Sequence, residues 1–483
     1  MSHLKYILRF LGIMLIVEGL LILSCLIPSL HFHDGTSRPI AICGLLTQSI
    51  GMLLVVRHHD ARTMPDRRMA YLLVVLMWVV LALFGALPFL ATGTLTRFPD
   101  ALFESMSGIT STGATVFPAV EWLPSSILLW RSITQWFGGF GIVLVVVAVA
   151  PSMGINKYSL YTAEASGADN TGKQTATTAS TVRQTLGVYI LLTLLFILLL
   201  HKSGLHTWDA VNLTFTNISS GGFSIYNNSL AGLTHTQQYI LAAAMLLSGV
   251  NFAMLYNILT LRFDRLRHKL EQLSLYLALW LAGSLFVAVA LATTMHQPLT
   301  DAVRLALVQT VSVLTTTGSL VADTSTWWTP VTYLFVILSL CGGMAGSTAG
   351  GLKTMRLLIL VRHVRKTLRD RLHPRAVNPV RLNRRPVPPS LTTNVMVILI
   401  VYVATITLGT LLLMLCHTGA TESIGAAIAC ITGYGPGLGL SGGFGSYAHY
   451  TPAAKLLCTL LMLMGRLECL TLLILLLPAF WRK

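Results

Sequence analysis

Ten apolar segments, each about long enough to cross the hydrocarbon of a bilayer, account for most of the chain. Only 10% of the 483 residues are charged, which is too little polar surface to cover a water-soluble globule. The sequence therefore predicts an all-α membrane protein of about ten spans. The predicted spans are 7–30, 39–56, 69–92, 124–150, 184–201, 235–261, 273–295, 328–361, 391–416 and 451–480.

Basic residues concentrate in alternate connections between these segments, although a formal net charge of +16 is by itself compatible with nucleic-acid binding. They outnumber acids in 57–68, 151–183, 262–271 and 353–385, whereas the intervening connections carry no net positive charge. Loops rich in Lys and Arg stay on the cytoplasmic side of a membrane. Both termini are therefore expected in the cytoplasm, and the predicted partner is the lipid bilayer rather than nucleic acid.

The four connections that carry no net positive charge are expected on the outer side of the membrane, and they resemble one another, which indicates an internal repeat. They are 93–123, 202–233, 297–327 and 417–451. In each, an acidic residue precedes a strip of Ser, Thr and Gly. The acid stands thirteen positions before the strip glycine in the first, second and fourth connections, and seventeen positions before it in the third. An acid suits the positive end of a helix and caps its free N–H groups, so each connection is predicted to contain a helix spanning about half the bilayer. The four extra residues predict that the third helix begins one turn earlier. The acid and glycine pairs are Asp100 with Gly113, Asp209 with Gly222, Asp301 with Gly318, and Glu422 with Gly435.

Backbone that turns back at half-membrane depth is tolerated only where protein buries it or water bathes it. Glycine lets such backbone direct its carbonyl groups toward a pore. A second set of glycines recurs 25 to 30 residues further along and is expected to let four inner helices approach one axis, with simple helix packing as the alternative for any single one. This set is Gly138, Gly249, Gly343 and Gly465.

The predicted architecture is four tandem units, each of helix, pore helix with loop, and helix, around one pseudo-fourfold pore. Two extra transmembrane helices over 1–60 precede them. Four such loops can surround one dehydrated cation with backbone carbonyl oxygens. The repeats cover 61–150, 151–265, 266–370 and 371–483, and their pore loops 98–117, 206–226, 299–320 and 420–440.

Seven short motifs occur in an order that resembles the Trk/Ktr/HKT superfamily of potassium transporters, and specifically its bacterial Trk-type transmembrane subunit. They are TSTGATVF at 110–117, WFGGFGIVLV at 136–145, SSGGF at 219–223, LTTTG at 314–318, GGMAGSTAGGLKTMR at 342–356, GPGLG at 435–439 and GRLECLTLLIL at 465–475. The resemblance covers nearly the whole chain. It implies potassium uptake across a bacterial inner membrane, with the potassium ion as the transported species and no organic cofactor bound by this chain.

The resemblance also implies which positions form a potassium-selective filter. Two departures from the family pattern bear on selectivity: Ser319 stands where many relatives have Phe, and the adjacent Gly221 and Gly222 leave the second filter glycine ambiguous by one residue. The implied potassium-binding residues are Thr110, Ser111, Thr112, Gly113, Ser219, Ser220, Gly221, Gly222, Thr315, Thr316, Thr317, Gly318, Thr432, Gly433, Tyr434 and Gly435.

Gly, Ser and Thr interrupt the eighth predicted span at 341–351, where they sustain a helix poorly. In the family this stretch is an intramembrane gate loop beneath the filter; a kinked, closely packed helix is the alternative. A charge inside a span is costly, and the resemblance places Arg466 of the tenth span against this loop, with a purely structural role as the alternative. Glu468 is a poor partner for Arg466, since residues two apart face different sides of a helix. The implied gate residues are Gly343, Ala345, Gly346, Ser347, Thr348, Gly350, Gly351, Lys353 and Arg466.

The family further implies a homodimer and a ring of cytosolic, nucleotide-binding regulatory subunits of the Rossmann (RCK) type. The basic run over 353–385 is interpreted as a topological signal that can also help such a subunit to dock. The chain has no dinucleotide or Walker motif of its own, so any nucleotide response is expected to come from the partner. Alternatives are a proton- or sodium-coupled potassium symporter and a less selective pore for potassium and sodium. An enzyme is not expected, because no catalytic constellation is visible.

Overall fold

Helices make up most of the computed structural model, which describes residues 2–60, 66–149, 174–262, 270–375, 379–383 and 385–482. Much of the predicted cytoplasmic loop 151–183, and parts of those at 57–68, 262–271 and 353–385, lie outside the described residues. A two-residue antiparallel ladder joins Arg381–Leu382 to Arg385–Pro386. The all-α prediction is confirmed. The helices are Ser2–Ser24, Leu26–Phe32, Ser37–Arg57, Arg67–Gly85, Leu87–Ala91, Phe98–Ile109, Ser125–Val149, Gln174–Lys202, Thr207–Ile218, His235–Ser248, Phe252–Leu259, Leu270–Thr294, Leu299–Leu314, Thr329–Cys341, Thr354–Leu372, Pro389–Leu415, Ala420–Thr432, Pro452–Arg466, Leu470–Leu476 and Pro478–Trp481, with 3-10 turns at Thr324–Thr326 and Gly439–Ser441.

Long apolar helices dominate this set. Within the described ranges, six helices are long and apolar enough to cross a membrane, and eight if two bent pairs each count as one span. The count of ten spans stays a prediction. The six are His3–Phe32, Ser37–Arg57, Arg68–Ala91, Arg183–Lys202, Leu270–Thr294 and Pro389–Leu415.

Three predicted spans are interrupted. The eighth ends at Cys341 and resumes at Thr354, as its glycine content predicts. The predicted spans 235–261 and 451–480 are each bent, by 106° and 112°, at breaks that the sequence analysis did not predict. At the first bend the Asn251 side chain accepts a hydrogen bond from Met254 N, so a new helix starts there at a cap.

Asp34 links the N-terminal helical hairpin to the helix Ser125–Val149. Its carboxylate accepts hydrogen bonds from Ser29 Oγ at 2.6 Å and from Thr36 Oγ1 at 2.7 Å. It also accepts one from the backbone N–H of Ser126 at 3.0 Å. First-turn N–H groups have no partner inside their own helix, so Asp34 caps this helix from a distant segment.

The hydrogen bonds to Asp34 predict a pH dependence of stability. Partial burial raises the pKa of Asp34, but the hydrogen bonds from Ser29, Ser126 and Thr36 outweigh it and lower the pKa from 3.8 to about 2. A carboxyl with a lowered folded-state pKa stabilises the fold above its unfolded-state pKa and loses that contribution as the pH falls through the folded value. We expect the melting temperature of detergent-solubilised protein to fall between roughly pH 4 and pH 2, and Asp34→Asn to remove part of this slope.

The effect is expected to be about 1 kcal/mol or less, because solvent screens a carboxylate that is only partly buried. Asp60→Asn is the control, since the side chain of Asp60 is 88% exposed. An identical acid slope in Asp34→Asn and the unmodified chain would contradict the capping role.

Candidate functional site

Four short helices end deep inside the protein: Phe98–Ile109, Thr207–Ile218, Leu299–Leu314 and Ala420–Thr432. They contain 12, 12, 16 and 13 residues, so the third is about one turn longer than the first two, as the acid-to-glycine spacing predicts. The predicted acid lies in the first turn of each. The four acids are Asp100, Asp209, Asp301 and Glu422.

The expectation that these acids cap the helices was wrong. The N-cap positions are held by Arg97, His206, Pro298 and Gly419. Three of the acids bind side chains instead, and in the first helix the partner is Lys455 of the helix Pro452–Arg466. The three pairs are Asp100 with Lys455 at 2.7 Å, Asp209 with the Tyr226 hydroxyl at 2.9 Å, and Asp301 with Arg304 at 2.9 Å.

Each short helix leads into a four-residue strip, and the four strips, 110–113, 219–222, 315–318 and 432–435, share one backbone pattern. The second residue of every strip is left-handed, with φ of 54°, 55°, 54° and 73° at Ser111, Ser220, Thr316 and Gly433. The fourth is left-handed as well, with φ of 82°, 74°, 79° and 89° at Gly113, Gly222, Gly318 and Gly435. The pattern places Gly222, and not Gly221, in register with the other strip glycines.

The four strips form a closed ring. At each fourth-position glycine, an added Cβ would overlap a carbonyl group of another strip, so no larger residue fits without moving the backbone. The strips follow one another in chain order, and the fourth closes on the first. The contacts are Gly113 with the carbonyl of Gly221, Gly222 with that of Thr317, Gly318 with that of Tyr434, and Gly435 with that of Thr112.

An open cavity lies at one face of the ring and is lined by all four strip glycines. Its wall includes Arg131 and Tyr447. The hydroxyl of Tyr447 donates a hydrogen bond to the carbonyl of Gly435 at 2.9 Å, and this bond supports the fourth strip. The cavity therefore adjoins the ring on this face.

A buried loop over 342–353 covers the other face, where the strips begin. It contacts the second, third and fourth strips through three hydrogen bonds. These join Thr348 Oγ1 to Ser220 Oγ at 2.8 Å, Gly350 N to Thr316 Oγ1 at 2.6 Å, and Gly351 N to the Thr432 carbonyl at 3.0 Å.

The bend over 249–251 is hydrogen-bonded to this loop and supports it. Met344 N donates to the Gly249 carbonyl at 2.9 Å, and Phe252 N donates to the Gly346 carbonyl at 3.0 Å. The Asn251 amide also donates to the carbonyl of Ala345. The prediction for Gly249 and Gly343 as glycines within inner helices was therefore wrong: Gly249 ends a helix, and Gly343 belongs to the loop.

Two basic residues complete the covered face. Arg466 ends the helix Pro452–Arg466, donates to the Thr348 carbonyl at 3.4 Å and the Gly138 carbonyl at 2.8 Å, and stacks over Trp78. Gly138 packs against the carbonyl of Ile109, the residue before the first strip, so Arg466 bridges the loop and the helix Ser125–Val149. The ammonium of Lys353, whose φ is 72°, donates to the loop carbonyl of Ala349.

Two buried polar residues that the sequence analysis missed, Gln135 and Arg131, support the strips. Gln135 donates to the carbonyl of Gly221 at 2.8 Å and accepts from Phe223 N at 3.0 Å. Arg131 forms a buried ion pair with Glu104 at 2.8 Å. A usable signal was present, because Arg131 and Gln135 lie one turn apart in a predicted span that contains no other charged or amide side chain.

The apolar helices and the closed ring define a multi-pass membrane transport protein, and comparison with known proteins assigns the family. A family model described as a cation transport protein, TrkH, matches residues 37–483. The Trk system potassium uptake protein TrkH of Halomonas elongata is 32% identical over 484 residues, covering 99% of this chain and 100% of the relative. Its counterpart in Escherichia coli K12 is 31% identical over 487 residues, covering 100% of both.

The crystal structure of the potassium transporter TrkH from Vibrio parahaemolyticus agrees with this fold. It has a TM-score of 0.90 and 28% sequence identity, and the match covers 99% of this chain and 100% of that chain. The chain therefore belongs to the TrkH family of cation transport proteins. The resemblance drawn from the seven motifs is confirmed, and so is the prediction that the protein is not an enzyme.

Proposed function

We propose that this chain carries potassium across the bacterial inner membrane through a filter formed by the four strips. The observation that carries the proposal is the shared left-handed pattern of the strips together with their closure into one ring. The names of the relatives, Trk system potassium uptake proteins, support the choice of ion. The sixteen residues of 110–113, 219–222, 315–318 and 432–435 are the proposed potassium-binding positions.

Two features of the ring favour a dehydrated cation. Left-handed residues at alternate positions turn successive carbonyl groups of a strip toward one side, where their oxygens can replace the water around an ion. The short helices also point their carboxyl-terminal ends at the ring, and the negative ends of four macrodipoles attract positive charge. Both effects act without any charged side chain in the strips.

The loop over 342–353 and Arg466 are the proposed gate. The loop covers the face opposite the cavity, so an ion can leave the ring on that side only after the loop is displaced. Its movement has to break the hydrogen bonds of Thr348, Gly350 and Gly351 to three strips. Arg466 adds a fixed positive charge at the same level, which opposes the passage of a cation while its contact with Thr348 lasts.

The division into two extra helices and four repeats, the cytoplasmic position of both termini, and assembly as a homodimer belong to the same proposal. A cytosolic, nucleotide-binding regulatory ring is proposed to dock at the helix Thr354–Leu372. This helix follows the gate loop directly, and its basic residues suit a cytoplasmic surface. They include Arg362, Arg365, Lys366, Arg369 and Arg371.

Current or flux through purified protein in liposomes tests the proposed function. With potassium on one side and sodium on the other, the reversal potential is expected to give a potassium-to-sodium permeability ratio of roughly ten or more, because carbonyl oxygens replace the hydration shell of potassium. Liposomes without protein are the control. A fixed stoichiometry with protons or sodium would contradict the pore and favour a symporter, and equal permeability to both ions would contradict the selective filter.

A further inference from the structure

The last span breaks between Pro452–Arg466 and Leu470–Leu476, which meet at an angle of 112°. Two consecutive non-glycine residues in the break, Glu468 and Cys469, have left-handed φ angles of 58° and 56°. Side chains resist this conformation, which persists only where surrounding contacts over-determine it. The break therefore depends on contacts that fix the position of Glu468.

A short ion pair provides such a contact. Arg356 Nη2 lies 2.6 Å from Glu468 Oε2, and the Arg356 side chain is only 5% exposed. Arg356 belongs to the first turn of the helix Thr354–Leu372, which follows the gate loop directly. Separating the pair is unfavourable, because it leaves a guanidinium charge in a buried site without its counter-ion.

The pair gives the gate loop a second attachment to the last span. Arg466 binds the Thr348 carbonyl in the middle of the loop, and two residues later Glu468 binds Arg356 just beyond the end of the loop. The left-handed break lets both side chains reach the same structure, although residues two apart on a regular helix face different sides. The loop and the last span must therefore move together or separate at both points.

Building on the proposed function, we infer that Arg356 and Glu468 form a latch that holds the gate loop closed. Glu468 is a positioning residue, since it acts on the ion path through Arg466 and the loop. The helix Thr354–Leu372 is the lever, because any displacement of this basic helix is transmitted to the loop through Arg356. The Glu468 side chain is 46% exposed, so its carboxylate can separate from Arg356 without disrupting the packed core.

Potassium leak into proteoliposomes that contain the purified full-length chain, without any cytosolic partner, tests the latch. Glu468→Gln and Arg356→Gln are each expected to raise the leak about tenfold by shifting the equilibrium toward the open loop. The double variant is expected to leak no more than the leakier single variant, because both changes remove one shared interaction. The ratio of potassium to sodium flux is expected to stay at its wild-type value, since the strips are unchanged.

Asp60→Asn is the control, because it removes an exposed acid that contacts His59 at 2.9 Å, outside the gate loop and the helix Thr354–Leu372, and is expected to leave the leak unchanged. A wild-type leak in folded Glu468→Gln, or additive leaks in the double variant, would overturn the latch. Should neither neutral variant fold, Glu468→Asp takes their place, because it keeps the charge but shortens the side chain by one methylene and so breaks the 2.6 Å contact with Arg356. An increased leak then supports the latch and a wild-type leak overturns it. Absence of selective flux in the wild type would instead contradict the proposed function itself.

Discussion

Replacing Gly113 with Ala is expected to abolish potassium uptake while leaving the protein in the membrane. Gly113 has a φ of 82°, which costs an L-residue about 1–2 kcal/mol. The new Cβ would also overlap the carbonyl of Gly221 in the second strip. The two strips then have to separate, and the ring loses the spacing that lets carbonyl oxygens match a dehydrated ion. Growth of an uptake-deficient bacterium on low potassium, with immunoblotting of its membranes, measures the effect.

Gly93→Ala separates the two causes. Gly93 has a similar φ of 71°, yet an added Cβ there meets no atom within 4 Å. It therefore carries the same backbone penalty without any overlap, and we expect normal growth. If Gly113→Ala supports growth as well as Gly93→Ala does, the first strip is not part of the filter.

The parts of this structure that the sequence predicted are encoded over short distances. A glycine at a left-handed position and an acid in the first turn of a helix each reflect a local preference of the backbone. That preference does not depend on residues distant in sequence. The extra turn of the helix Leu299–Leu314 and the interruption after Cys341 were predicted on such grounds. Hydropathy over about 20 residues was likewise sufficient for the class of protein.

The bends at 249–251 and 467–469 could not be predicted in the same way. Hydropathy continues through both of them, and Glu468 and Cys469 are not residues that local propensity assigns to a left-handed conformation. Partners distant in sequence hold these bends, namely the loop over 342–353 for Asn251 and Arg356 for Glu468. The order in which the strips contact one another depends on long-range packing for the same reason.

Neutralising Glu104 is expected to destabilise the protein more than any surface change. Glu104 is fully buried and Arg131 is 2% exposed, with 2.8 Å between Arg131 Nε and Glu104 Oε1. Glu104 also accepts hydrogen bonds from the Thr115 hydroxyl and from Val116 N, just beyond the first strip. Arg131 donates to the carbonyl of Ser224, just beyond the second. The pair therefore joins the first short helix to the chain segments that leave two strips.

Glu104→Gln keeps the shape of the side chain but leaves the Arg131 charge buried without a counter-ion, which costs about 3–5 kcal/mol. Thermal unfolding in detergent, followed by tryptophan fluorescence, should show a large drop in melting temperature. Glu271→Gln breaks a pair with Arg362 whose side chains are 33% and 29% exposed, and should cost about 1 kcal/mol or less. Glu104→Gln combined with Arg131→Met should recover part of the loss, because the unpaired charge is then gone. Equal melting temperatures for Glu104→Gln and Glu271→Gln would show that the buried pair does not hold the strips.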